Sequence, residues 1–308
     1  MKRVLTAAIA ATALLLTGCA GSDDTEAAPA ASASGAAYPV TVGNVTLAQR
    51  PERIVSLSPT VTEMLFAIDA GPQVVAVDDQ STYPADAPRT DLSGFKPNAE
   101  AIAAKNPDLV VLSNDQDKIV DQLTALKIPA FLAPAAQSLD QTYTEIGQLG
   151  TLTGHQAEAG ALTERMKTQI DKIVQGVPKR TEPLSYYYEL DPTLYSVTSK
   201  TFVGSVFALF GLTNVADAAD PDGSKGGYPQ LSQEALVKAD PDMIFLADSK
   251  CCAQSAATVT ARKGWSGVTA VKTGQIVALD DDVASRWGPR VVDLTQSIAD
   301  AVVKVPTP

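Results

Sequence analysis

Asn98-Ala-Glu-Ala-Ile-Ala-Ala-Lys-Asn-Pro-Asp-Leu-Val-Val-Leu112 decides the fold, because the chain spells nearly the same phrase again from Ser232. The second copy reads Ser232-Gln-Glu-Ala-Leu-Val-Lys-Ala-Asp-Pro-Asp-Met-Ile-Phe-Leu246, so that Glu100, Pro107 and Asp108 align with Glu234, Pro241 and Asp242. Each copy predicts a short helix, a Pro-Asp break and a buried strand of apolar residues. Asn98 and Ser232 stand two residues before the glutamates as candidate N-caps, which puts each glutamate in a first helical turn. A unit built twice predicts two similar α/β lobes with a ligand cleft between them.

The flanking sequence extends both lobes. Tyr38 to Leu47 alternates valines around Gly43-Asn44, a small hairpin, and Arg53 to Leu57 is the first core strand. A helix follows, started by Ser58-Pro59 or by the capping-box pattern Thr60-x-x-Glu63 and stopped at Gly71. Gln73–Val77, the first repeat, a helix near Lys118–Leu126 and a strand at Ile128–Leu132 complete the first lobe, residues 38–150. Between the lobes, Leu162, Met166, Ile170 and Val174 recur every four residues with charge elsewhere. That spacing predicts one amphipathic helix of about 20 residues and roughly 30 Å, ended by Gly176 and Pro178. It is the single bridge, residues 151–177, and His155 at its start reads as exposed or capping. The second lobe, residues 178–308, repeats the order with Leu184–Leu190, Phe202–Gly211, the repeat phrase, Gln275–Leu279 and Val291–Val303. Strands alternating with helices indicate a mostly parallel sheet, and Tyr186-Tyr-Tyr188 inside a strand reads as packing.

Ahead of the lobes, Lys2 and Arg3 precede an uncharged apolar run from Val4 to Leu16, too short to span a bilayer. Residues 1–18 read as a secretory signal. Its ending, Leu16-Thr17-Gly18-Cys19, resembles a bacterial lipobox, in which Cys19 is diacylated and becomes the mature N-terminus. The plainer alternative is an ordinary signal with an incidental Cys19. Residues 19–37, rich in Ala, Ser, Gly and acid, cannot bury a core and read as a flexible tether. Loss of Lys2 and Arg3 with the signal takes the net charge from −11 to −13. So acidic a body is a poor binder of nucleic acid and of anionic lipid, leaving the lipid anchor as the membrane contact. The remaining cysteines, Cys251 and Cys252, are neighbours. They exclude a disulfide scaffold, and a vicinal disulfide and two buried thiols both stay open.

Taken together, Pro51-Glu-Arg-Ile-Val-Ser-Leu-Ser-Pro59 with Thr62-Glu63, Pro97-Asn98-x-Glu100, Pro107-Asp108, Trp265 with Ala270-Val-Lys-x-Gly274, and Asp282-x-x-x-Arg286-x-Gly-Pro-Arg290 resemble the substrate-binding lipoproteins of ABC importers. The resemblance covers about residues 38–304, and within that group it is to the iron-siderophore and cobalamin binders. It implies two α/β lobes joined by a long helix, no catalysis, no cofactor, a monomer held at the outer face of the cell membrane, and delivery of a ferric chelate or corrinoid to a membrane permease. It also implies that Glu100 and Glu234 meet arginines of that permease. Their plainer reading is an acid favouring a helix dipole. For the cleft it points to Tyr228, Asp282, Arg286 and a ring near Tyr195. The sequence departs from the cobalamin binders on the first lobe, where Gln80 replaces a tyrosine and Phe95 stands beside a tryptophan position. Arg286 either binds ligand or pairs with Asp282, or both; Trp287 belongs to core or cleft.

Ferric siderophore ranks first on the breadth of the family, cobalamin second and haem third, with Tyr83, Tyr195 or Tyr228 as an axial phenolate. A triply anionic catecholate would want several cations. Only Arg286 has a matched position, with Lys96, Lys200 and Lys225 unplaced. An exported hydrolase is disfavoured, since the lone His155 lies on the bridging helix and no Gly-x-Ser-x-Gly elbow or phosphate loop occurs. One remote histidine also argues against a free-metal site.

Overall fold

Runs of β-branched and aromatic residues form two sheets that repeat one another. The computed structural model describes residues 37–306; the expected signal, Cys19 and the tether through residue 36 lie outside them. After a hairpin of β1 (Val40–Val42) and β2 (Val45–Leu47), the first lobe runs β3 (Ile54–Leu57), α1 (Pro59–Ala67), β4 (Val74–Val77), α2 (Ala99–Ala103), β5 (Leu109–Leu112), α3 (Ile119–Ala125) and β6 (Ala130–Leu132). Two long helices follow, α4 (Leu139–Thr153) and α5 (Gln156–Gly176). The second lobe runs β7 (Ser185–Glu189), α6 (Phe202–Ala208), β8 (Thr213–Asn214), α7 (Gln233–Ala239), β9 (Met243–Leu246), α8 (Ala256–Thr260), α9 (Thr269–Thr273), β10 (Ile276–Ala278), α10 (Asp281–Ser285) and α11 (Val291–Lys304).

The strand orders are β4-β3-β5-β6 and β8-β7-β9-β10, each sheet wholly parallel. Parallel sheets are covered on both faces, which is why β3, β5 and β9 bury every residue. Alternation divides each strand between two cores. Val55, Val110 and Leu112 pack beneath α2 and α3, while Ile54, Leu109 and Val111 join the core shared with α1, α4 and α5. In the second lobe Tyr187, Ile244 and Leu246 pack with α7, α8 and Trp265, and Tyr186, Tyr188, Met243 and Phe245 join the shared core. All three tyrosines are fully buried.

The repeated Pro-Asp does the same work in both lobes. Asp108 accepts from the backbone N–H groups of Glu52 and Arg53 at 2.8 and 2.9 Å. Asp242 accepts from the backbone N–H and hydroxyl of Ser185, both at 2.8 Å. Each carboxylate thus satisfies donors where the chain enters the central strand, β3 or β7. The predicted caps also form: Asn98 accepts from Ala101 N–H at 2.9 Å and Ser232 from Ala235 N–H at 3.1 Å.

Of the two starts open for α1, Ser58 is the cap that forms, while some other expectations need correction. The helix ends at Ala67 with Ile68 as its C-cap, short of Gly71. Asp69 takes φ +64° and lets Ala70 N–H reach Leu65 C=O, so a short polar side chain does what a glycine usually does. Helix α4 was not foreseen, and residues 151–153 finish it; the bridge itself begins at Gln156. Its two glycines and several threonines weaken the local helix signal. Gly150 is required where α4 and α5 cross, because a Cβ there would lie 2.5 Å from Ala159 Cβ. His155 stands at the N-cap position of α5, where its C=O accepts from Ala159 N–H, but its half-buried side chain makes no cap bond: its Nε2 lies 2.6 Å from Arg50 Nη2 and 3.1 Å from Gln73 Oε1. Burial, then Arg50, hold its pKa below the usual value, so it sits there as the neutral acceptor for Arg50.

Candidate ligand-binding cleft

In parallel sheets the strand ends that finish at the carboxyl edge leave a crevice for ligand. Here the residues following all four strands of the first sheet line one cleft of about 410 Å³: Ser58 after β3, Asp78 after β4, Ser113 and Asn114 after β5, and Ala133–Ala136 after β6. The facing wall is Asp282, Ser285, Arg286 and Trp287, on and just after α10. Phe95 stands at the lining with 74% of its surface exposed. Its neighbour Gly94 is needed as glycine, since a Cβ would come within 2.6 Å of Leu57 C=O and 2.9 Å of Asp78 Oδ2. The equivalent edge of the second sheet is filled instead. Glu189, the last residue of β7, is fully buried and accepts two hydrogen bonds from Arg262 at 2.5 and 2.6 Å. Asp248 is buried beside them, its pKa raised by burial and by Glu189.

A network of charges fastens the second-lobe wall to the first lobe. Glu63 of α1, 2% exposed, accepts from Arg290 Nε at 2.8 Å and Nη2 at 2.5 Å, and from Arg286 Nη1 at 3.4 Å. Arg286 further donates to Thr82 Oγ1 at 3.0 Å and Gln80 C=O at 2.9 Å, and pairs with Asp282 at 2.9 Å. Thr142 of α4 donates to Trp287 C=O at 3.0 Å. The three successive aspartates have separate partners. Asp280 caps α10 and binds Lys250 Nζ, while Asp281 accepts from the backbone of Lys250 and Cys251 and from the hydroxyl of Ser249. Asp282 pairs with Lys250 and Arg286. Cys251 and Cys252 are joined to each other in this loop.

Two further acids line the cleft. Asp78 is 2% exposed, and its Oδ1 is enclosed without a hydrogen-bond partner. Burial raises its pKa, with bonds to Ser81 opposing. Beneath it, Ser81, Thr62 and Ser56 form a buried hydroxyl chain with 2.9 Å links. Glu145 of α4 is 5% exposed, and burial pushes its pKa up to about 7 against a weak bond from Gln141 at 3.4 Å. Trp287 is both core and cleft: it stacks on Phe202 at 5.0 Å between centroids, and its Nε1–H is enclosed without a partner.

Of the residues expected from the sequence, Gln80, Phe95, Asp282, Arg286 and Trp287 come together here. Tyr195 and Tyr228 do not line this cleft; each is 41% exposed on neighbouring second-lobe segments joined through Tyr195 and Gln230. Lys96, Lys200 and Lys225 also lie outside the lining, and the last two bind the backbone carbonyls of Pro221 and Ala219. Glu100 and Glu234 are exposed in the first turns of α2 and α7. Asp78 and Glu145 carry no local motif that marks them as cleft residues, and Glu63 has only the spacing of a capping box. Asp78 directly follows a predicted strand, which was the available signal. Glu145 lies on α4, whose sequence lacks an apolar period.

Comparison with known proteins agrees with this architecture. The periplasmic binding protein family model matches residues 54–283. YvrC of Bacillus subtilis strain 168, named an uncharacterized ABC transporter substrate-binding lipoprotein, is 29% identical over 96% of this chain and 95% of its own. The cobalamin-binding protein of Halobacterium salinarum is 32% identical over 83% of this chain and 71% of its own. A solved structure of "a possible an iron-binding (periplasmic solute-binding) protein" from Staphylococcus epidermidis superposes with a TM-score of 0.72 at 26% identity, covering 83% of this chain and all of that one. With two parallel-sheet lobes, a long bridging helix and a cleft at the strand ends, the chain belongs to the periplasmic binding protein family and is the substrate-binding component of an ABC transporter.

Proposed function

We propose that the cleft captures a corrinoid and presents it to an ABC permease. The observation that carries this reading is charge. Among the described residues Arg286 is the one cation in the lining, and Glu63, Asp282, Thr82 and Gln80 already engage it. Asp78, Glu145 and Asp282 add acid. A ferric catecholate with three negative charges, or a haem with two carboxylates, meets no uncommitted cation there. A corrinoid bears neutral amides, and relatives named for cobalamin binding match most of the chain. This reverses the order suggested by family breadth alone. Because a corrinoid exceeds the cleft, its edge enters while the remainder lies against the mouth, where Phe95 offers an exposed ring. A neutral ferric hydroxamate satisfies the same charge argument, and the similarity to an iron-binding structure favours it as the second reading.

The same reading assigns Cys19 as the lipid-bearing residue after removal of residues 1–18, and residues 19–37 as the tether to the outer face of the membrane. Glu100 and Glu234 are its docking points for the permease. Equilibrium dialysis of the full-length protein in detergent against cyanocobalamin, a ferric trihydroxamate, a ferric triscatecholate and haem tests the ligand. Retention of cyanocobalamin is expected; retention of the catecholate or haem without it overturns the proposal.

A further inference from the structure

Two carboxyl groups in the cleft have no assigned role. Asp78 leaves an enclosed oxygen without a donor, and Glu145 has Gln141 as its sole partner among the described residues, at 3.4 Å. Glu63 and Glu189 are satisfied by contrast, the first by two arginines and the second by Arg262, and the other unpartnered buried carboxyl among the described residues, Asp248, lies in the second lobe away from the cleft lining. Leaving a buried acceptor without a donor is costly, and native structures seldom tolerate it without a use. Both groups lie where a ligand enters. Asp78 follows β4 on the floor, beneath Gly94, and Glu145 lies one turn after Thr142, which binds Trp287 C=O across the lobe junction. Among the described residues, the unpartnered buried donor in the same lining is Trp287 Nε1–H.

We propose that Asp78 and Glu145 are the specificity-determining acceptors of this cleft, selecting a neutral or cationic ligand that presents N–H or O–H donors. The inference rests on the reading of the cleft as the ligand site. On a corrinoid these donors are the primary amides around the ring. An anionic chelate or a carboxylate-bearing ligand is rejected by the same two groups, since like charges brought together in a desolvated cleft repel.

The charges around Glu145 leave it free to respond. Glu63 on α1 is held by Arg286 and Arg290, and Asp282 by Arg286 and Lys250. On α5, Glu164 pairs with Lys167, which lies over Tyr143 of α4. Asp140 on α4, Asp171 on α5 and Asp78 across the cleft are further acids around this helix. Glu145 titrates near neutrality because of burial. A donor-bearing ligand favours its ionised form, so binding releases a proton and affinity rises with pH until Glu145 is ionised in the free protein.

The test measures the Kd of the full-length protein for cyanocobalamin, and for cyanocobalamin with side-chain amides hydrolysed to carboxylates, from pH 6 to pH 8.5. Binding of cyanocobalamin is expected to tighten several-fold with rising pH and level off above neutrality, with the hydrolysed corrinoid much weaker. Glu145→Gln flattens the profile, and Asp78→Asn weakens binding about tenfold at every pH, each variant first shown to keep the wild-type melting transition. A wild-type profile that is flat or of opposite sign overturns the inference and needs no variant. If no corrinoid binds, the proposed function fails, and the profile is read on a ferric trihydroxamate instead. There, tightening with pH that Glu145→Gln abolishes sustains the acceptor role, and its absence ends it.

Discussion

Glu63 holds two arginines of the other lobe with its two oxygens while burying almost all of its surface. A buried charge of this kind adds little net stability when fully paired, yet removing one partner strands the rest in a poor solvent. Glu63→Ala should therefore lose roughly 3–5 kcal/mol in denaturant unfolding. Adding Arg290→Ala should cost less than the sum of the two single changes, because the pair is already broken. Additive losses would mean that Glu63 and Arg290 act independently. The residue also marks a limit of local reading. Thr60-x-x-Glu63 has the pattern of a capping box, but the partners of Glu63 lie 223 and 227 residues away. Asp78 and Glu145 are silent for the same reason: an acid becomes a buried acceptor only when several elements close over it.

At the scale of elements, repetition made the fold legible. Residues recurring at the same place in two copies announced α2 with β5 and α7 with β9, and four-residue spacing announced α5. Periodicity failed for α4, where Gly147, Gly150 and the buried Thr142, Glu145 and Thr153 interrupt the apolar stripe. Packing against α1, α5 and β1 stabilises that helix instead of propensity. Short α8, α9 and α10 left no period to read. These elements decide how far the lobes move. Helix α5 joins them covalently, α4 supports it, and the segment from Arg286 to Arg290 reaches back to Glu63, Thr82 and Thr142. A helix resists bending more than a loop hinge, and the strap opposes separation. Small-angle scattering with and without cyanocobalamin should show little change in radius of gyration. A large compaction would place a flexible hinge between α5 and one of the lobes.

The whole molecule carries two copies of one exposed feature. Glu100 and Glu234 occupy the second position of α2 and α7, behind side-chain caps of the same geometry and ahead of equivalent central strands. A body that must bind one ligand and one permease needs separate surfaces for each. Neither glutamate lines the cleft. Exposed charges at a protein contact set orientation and encounter rate more than intrinsic affinity, and their effect weakens with salt. Replacing both glutamates by glutamine keeps side-chain shape and hydrogen-bonding capacity while removing the charge that arginines of a permease would meet. The double variant is expected to bind cyanocobalamin like the wild type, yet to lose uptake in cells and stimulation of permease ATPase in proteoliposomes. Single variants should fall between, since one charged point still orients a two-lobed body in part. Raising the salt should reduce stimulation by the wild-type protein while leaving the double variant near its floor. Normal stimulation by the double variant would return both acids to the plain role of favouring a helix start, and weakened ligand binding would place them on the cleft after all.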